Sequence, residues 1–209
     1  MANSSYLCAM DEASLYPSST VEGFDPATGV VAFDRYCVPL LWLALFRPAD
    51  LRTETFTFED GEAVQATAPL VPKDRALAQL DAALPALGRL FAAEGPLDAH
   101  AALLRQAVEK APGGYLTVEL DEIEAMWEEG TFGPALHAAL ASLDGETDPP
   151  ADRARLVELA QLRPDGPFPP ARLIIDGLEA GDAGYWNFTR LLGTGFQADV
   201  PWELAAPTG

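Results

Sequence analysis

Hydrophobic and polar positions change their period several times along this chain. The cleanest alternation is RTETFTF, where Thr53, Thr55 and Thr57 alternate with Glu54, Phe56 and Phe58. A period of two puts successive side chains on opposite faces of a strand. The turn Glu59-Asp60-Gly61 and a second run, EAVQATA, complete a β-hairpin over about residues 52–68, with Gly61 suited to the turn. Upstream, SSYLCAM alternates weakly and reads as a first strand. The following DEASLYPSSTVEGFDPATGV is rich in Pro, Ser, Gly and Asp. It is expected to form a long loop, of the kind that often carries function. VPLLWLALF is continuously apolar and bracketed by Pro39 and Pro48, which predicts a buried helix.

Beyond Pro72 the spacing becomes helical. Leu77, Leu80, Leu84, Leu87 and Phe91 recur at three and four, an amphipathic pattern that Pro85 is expected to kink or split. Leu97, Ala101, Leu104 and Val108 form a second such stripe, stopped by APGG. The two helices are expected to pair as an αα-hairpin. YLTVEL predicts a strand, and in DEIEAMWEE a helical period places Leu120, Ile123, Met126 and Trp127 on one face. Phe132, Leu136, Leu140 and Leu143 give another stripe. ADRARLVELAQL reads as a short helix, PDGPFPP as a rigid spacer and ARLIID as a last strand. Strands and helices do not alternate regularly, so the expected class is α+β, with a mostly antiparallel sheet and the hairpin packed against a helical layer. A single domain over 1–209 is expected, with 171–209 packing back on it.

Composition narrows the setting. Apolar residues make up 49% of 209, enough for a sizeable core. No apolar run approaches the roughly 18 residues of a membrane span, and MANSSYLCAM does not look like a signal peptide. A cytoplasmic protein is the expectation. The bases are 11 Arg and 2 Lys in a chain rich in Ala, Pro and Gly, a bias typical of a GC-rich bacterial genome. The formal charge is −19, which disfavours nucleic acid and anionic membranes and favours a basic protein partner. Residues 111–150 hold nine acids and no Lys or Arg.

Signatures of chemistry are few. His100 and His137 fall on different predicted helices, and neither HExxH nor CxxC occurs, so no metal or other cofactor is expected. DGETD lacks the ligand alternation of a calcium loop, GTG is no phosphate cradle, and GxSxG does not occur. Cys8 and Cys37 read as buried thiols. No catalytic residue is assigned. The stretch GDAGYWNFTRLLGTGFQADVPWE gathers Tyr185, Trp186, Phe188 and Phe196 around Arg190. Gly181, Gly184, Gly193 and Gly195 allow tight bends there. It reads as a segment that staples the sheet with its aromatics, or as a binding surface, with Arg190 paired to an acid.

The chain ends MANSSYLCA and WNFTRLLGTGFQADVPWE resemble those of a group of uncharacterised bacterial proteins that begin Met-Ala-Asn-x-Ser-Tyr-Leu. This chain departs from them at Ser4, where an Arg is expected, and at Cys8, where an aromatic is expected. The resemblance implies a soluble bacterial family without an assigned activity, and no functional residue follows from it.

Two functions of different class remain. One is a non-enzymatic interaction protein, immunity- or antitoxin-like, that holds a basic partner. Its candidate residues are Glu119, Asp121, Glu122, Glu124, Trp127, Glu128 and Glu129, with Trp186 and Arg190. The same acids could equally be a solvated face that maintains solubility. The other function is a small-molecule-binding domain or enzyme, its pocket near the N-terminal loop and the C-terminal aromatics. Oligomeric state is left open.

Overall fold

A computed structural model describes residues 3–15, 29–57, 63–145, 148–163, 167–169, 171 and 183–196. Five strands form one sheet: Ser4–Met10 (β1), Val30–Arg35 (β2), Leu51–Thr57 (β3), Ala63–Pro72 (β4) and Tyr115–Glu119 (β5). Their order is β2-β1-β5-β4-β3, and each neighbouring pair is antiparallel. The helices are Leu40–Leu43 (α1), Lys73–Leu90 (α2), Asp98–Lys110 (α3), Asp121–Glu124 (α4), Phe132–Ala141 (α5), Pro149–Ala160 (α6) and Ala183–Leu192 (α7), with a 3-10 turn at Pro48–Asp50. The fold is α+β, as the pattern predicted. None of the described helices is long and apolar enough to cross a membrane.

One face of the sheet, carrying Leu7, Ala9, Val31, Val71, Leu116 and Val118, joins the helices in the main core. A smaller cluster of Leu15, Ala66, Ala68 and Leu70, backed by Tyr115, lies apart from it. Cross-strand register puts Leu70 with Thr117 and Cys8, so this cluster belongs to the opposite face. Glu54 ties the start of the N-terminal loop to it, accepting from the Leu15 amide at 3.0 Å and the Ser14 hydroxyl at 3.1 Å.

The hairpin is present in regular register from Leu51↔Pro69 to Thr57↔Ala63; its turn, with Gly61, lies outside the described residues. α2 and α3 are joined by Arg105, which pairs with Asp81 and donates to the Leu77 carbonyl. α2 runs unbroken through Pro85, where a kink or a split was expected. One lost backbone bond is tolerable in a helix anchored by buried Ala76, Leu80, Ala83, Leu87 and Leu90. All of Val38–Phe46 is buried, yet only four residues are helical. Apolar continuity records burial, and proline spacing limited the helix. The stripe Phe132, Leu136, Leu140 and Leu143 is buried as read. Of the ARLIID strand, all but Ala171 lies outside the described residues.

Candidate binding surface

β5 ends at Glu119, and the chain turns at once into α4. Glu119 is buried, and its Oε1 accepts the Asp121 amide at 3.1 Å. Glu122 reaches back to β1, accepting the Ser4 amide at 2.7 Å. Those two carboxylates therefore fix α4 to the sheet. Ile123 plugs the core beneath. The helix then stops, and the amides of Met126 and Trp127 bond to the carbonyls of Ile123 and Glu124 at 3.0 and 2.9 Å. Trp127 is half-buried, its ring edge-on to Phe132 with centroids 5.6 Å apart. Met126, assigned by helical period to the inner face, is instead 47% exposed. The period does not extend past Glu124, because the helix does not.

Glu124, Glu128 and Glu129 are exposed, and Asp121 is partly so. Partial burial, and secondarily the neighbouring Asp121, raises the Glu124 carboxyl above its ordinary range. Carboxylates crowded in this way gain from a cation that neutralises them.

A residue the sequence did not single out joins this end of the sheet. Tyr36 follows β2 and is 44% exposed. Its φ of 65 is left-handed, uncommon for a bulky side chain. Its amide donates to the Asn3 carbonyl at 2.8 Å, beside the Ser4↔Arg35 pair and hence beside the Ser4 amide that Glu122 holds. Tyr36 and Met126 are the large hydrophobic side chains exposed among the described residues. Both belong to the end of the sheet where β1 begins and β2 and β5 finish. A flexible thioether and an amphipathic phenol are adaptable contact groups. No local pattern in the sequence marks Tyr36; its exposure depends on Ser4 pairing with Arg35.

Trp186 and Arg190 are carried by α7. Arg190 is buried, and its Nη1 donates to Asp34 Oδ1 at 2.7 Å, to the Arg35 carbonyl at 2.8 Å and to Cys37 Sγ at 3.3 Å. Its guanidinium stands 4.3 Å from the centroid of Trp186, and that of Arg163 stands 4.7 Å from it. The Trp186 indole donates to the Gln161 carbonyl at 3.1 Å. Burial raises the Asp34 carboxyl despite Arg190, which pulls it down. Burial, with Asp34 adding to it, holds the Cys37 thiol well above its ordinary value. Such a thiol stays protonated and unreactive. Arg190 does pair with an acid, and this cluster fastens α7 to β2. The two candidate groups flank the same Ser4↔Arg35 pair, one through the Ser4 amide and one through the Arg35 carbonyl.

Of the pocket expected near the N-terminal loop and the C-terminal aromatics, residues 16–28 of the loop lie outside those described, whereas Trp186, Phe188 and Phe196 are described, the two phenylalanines buried in the core. A cleft of about 360 Å³ lies elsewhere, lined by Leu84, Gly88, Ala92 and Gly95 to Asp98. His100 is buried at the start of α3, its ring 6.4 Å from that of Phe188. Burial lowers its pKa, while the Pro169 and Pro96 carbonyls pull the other way. Comparison with family models, with curated proteins and with solved structures returned no match.

Proposed function

We propose that this protein works by binding a basic protein partner through the end of the sheet capped by α4, as an immunity or antitoxin protein would. The observation that carries the reading is the exposed Met126, within the acidic run of Asp121, Glu124, Glu128 and Glu129, at the end of the sheet where Tyr36 is also exposed. An apolar centre with a charged rim is the anatomy of a transient interface. Opposite charge would speed encounter with the partner, and α4 is already held by Glu119 and Glu122, so little ordering is required on binding.

The probe is a fluorescently labelled amphipathic peptide of alternating lysine and leucine helical stripes, titrated at low and high salt. Met126→Asp and the triple change Glu124→Lys, Glu128→Lys, Glu129→Lys are each expected to weaken binding about tenfold or more. The triple change Asp74→Lys, Asp98→Lys, Glu158→Lys alters net charge equally at exposed sites elsewhere and is expected to weaken it far less. Equal losses in the two triple variants would reduce the acidity to a general solubility device and end the proposal.

A further inference from the structure

The two edges of the sheet, β2 and β3, are treated differently. The β2 edge is met at one point by the segment after α7: Phe33 donates to the Thr194 carbonyl at 2.9 Å and accepts from the Thr194 amide at 2.6 Å. Among the described residues β3 pairs with β4 alone. Alternate residues of such an edge turn unpaired N–H and C=O groups outward. Proteins usually guard an edge of this kind with proline, lysine or a bulge. Leu51–Thr57 contains no proline and no lysine, and its register with β4 is unbroken. Arg52, Thr53 and Thr55 are exposed, and threonine favours strand.

We infer that β3 pairs antiparallel with β3 of a second copy of this chain, giving one sheet continuous across a twofold dimer. Charge selects the register. An axis at Thr53 sets Arg52 opposite Glu54 of the second copy, and by symmetry does so twice. An axis at Glu54 sets two carboxylates face to face, and one at Arg52 sets two guanidiniums face to face; like charges directly opposite are destabilising. The side chains are available for the Thr53-centred register. Arg52 has no ion-pair partner among the described residues. Glu54 is oriented by Leu15 and Ser14 through Oε2, with Oε1 left to accept the guanidinium. β3 is not part of the acidic surface, so the two readings stand or fall separately.

The test is sedimentation equilibrium of the whole chain from micromolar to millimolar concentration. A reversible, salt-weakened monomer–dimer equilibrium is expected for the wild type. Arg52→Glu and Glu54→Arg alone each turn both cross-strand pairs into like charges and are expected to raise the dimer Kd about tenfold. An equimolar mixture of the two restores opposite charges at both pairs and is expected to recover association. Should Glu54→Arg fail to fold for want of the Leu15 anchor, Arg52→Lys, which keeps the charge, is expected to dimerise where Arg52→Glu does not. A wild type monomeric throughout, a dimer indifferent to Arg52→Glu, or a mixture no stronger than its components would each overturn the inference.

Discussion

Trp186 and Trp127 both sit among charges, and the contrast between them separates scaffold from surface. Trp186 has two guanidiniums near its ring and an indole bonded to the end of α6. The charge beside it, Arg190, is buried against an equally buried Asp34. Trp127 leans on Phe132, and its nearest carboxylates along the chain are exposed. The first arrangement is satisfied internally and has little left to offer a partner. The second is anchored below, where Glu119 and Glu122 bind backbone, and it carries the exposed Met126. Composition alone could not separate these, because aromatics and charges occur in both.

The sharpest way to break the contrast is Arg190→Ala. It strands Asp34 in the core and is expected to cost about 3–5 kcal/mol, read by denaturant unfolding. Glu128→Ala, the matched change at the acidic turn, is expected to stay within about 0.5 kcal/mol. Comparable losses at the two sites would erase the distinction.

Gly195→Ala probes the same fastening from its far end. A Cβ there would fall 1.8 Å from Phe33 Cε1, with the backbone at φ +57. A loss of about 1–3 kcal/mol is expected in the same unfolding experiment. An unchanged midpoint would mean that the contact between Thr194 and β2 is not held in solution.

pH sharpens the comparison further, because the α3·α7 side holds His100. Its folded pKa lies below its unfolded one, so the stability it contributes is present above pH about 6.5 and is lost as pH falls toward the folded value. Between pH 7 and 5 the unfolding free energy is expected to decline by at most about 1.4 kcal/mol per pH unit from this group. In His100→Leu that part of the slope should vanish; a slope unaltered by the substitution would exclude His100 as its source. Asp34 has the opposite sign. Its raised folded pKa favours the native state below the unfolded carboxyl value, and that contribution is lost as pH rises through the folded one.

The smallest stability effect is expected for Glu124→Lys, Glu128→Lys, Glu129→Lys. Exposed side chains exchange with little consequence for folding, so the melting midpoint should move by no more than a few degrees while peptide binding falls. A large drop in stability would show those acids to be structural.

Local pattern made the hairpin legible, since Thr53 to Thr57 alternate and their register with β4 is regular. The α5 stripe was legible for the same reason. β2 was not, because Val30, Val31 and Ala32 are all buried and its register with β1 slips between Leu7 and Cys8, so no period of two survives. α7 was read as bends because of its glycines; Gly193 and Gly195 do take positive φ, but they follow the helix. At the candidate surface the acids were visible as a run, whereas the exposure of Met126 depended on where α4 ends. The partner of Arg190 lies 156 residues away, beyond the reach of any local period.

That separation also has a meaning in time. Asp34 meets Arg190, Trp42 meets the Leu192 carbonyl at 2.9 Å, and Phe33 meets Thr194. In each case the first partner leaves the ribosome some 150 residues before the second. Throughout that interval a buried-to-be acid stays charged in water and one side of the growing sheet remains open to other nascent chains. The docking of α7, once it has been made, both pairs the acid with Arg190 and brings Thr194 onto Phe33 of β2.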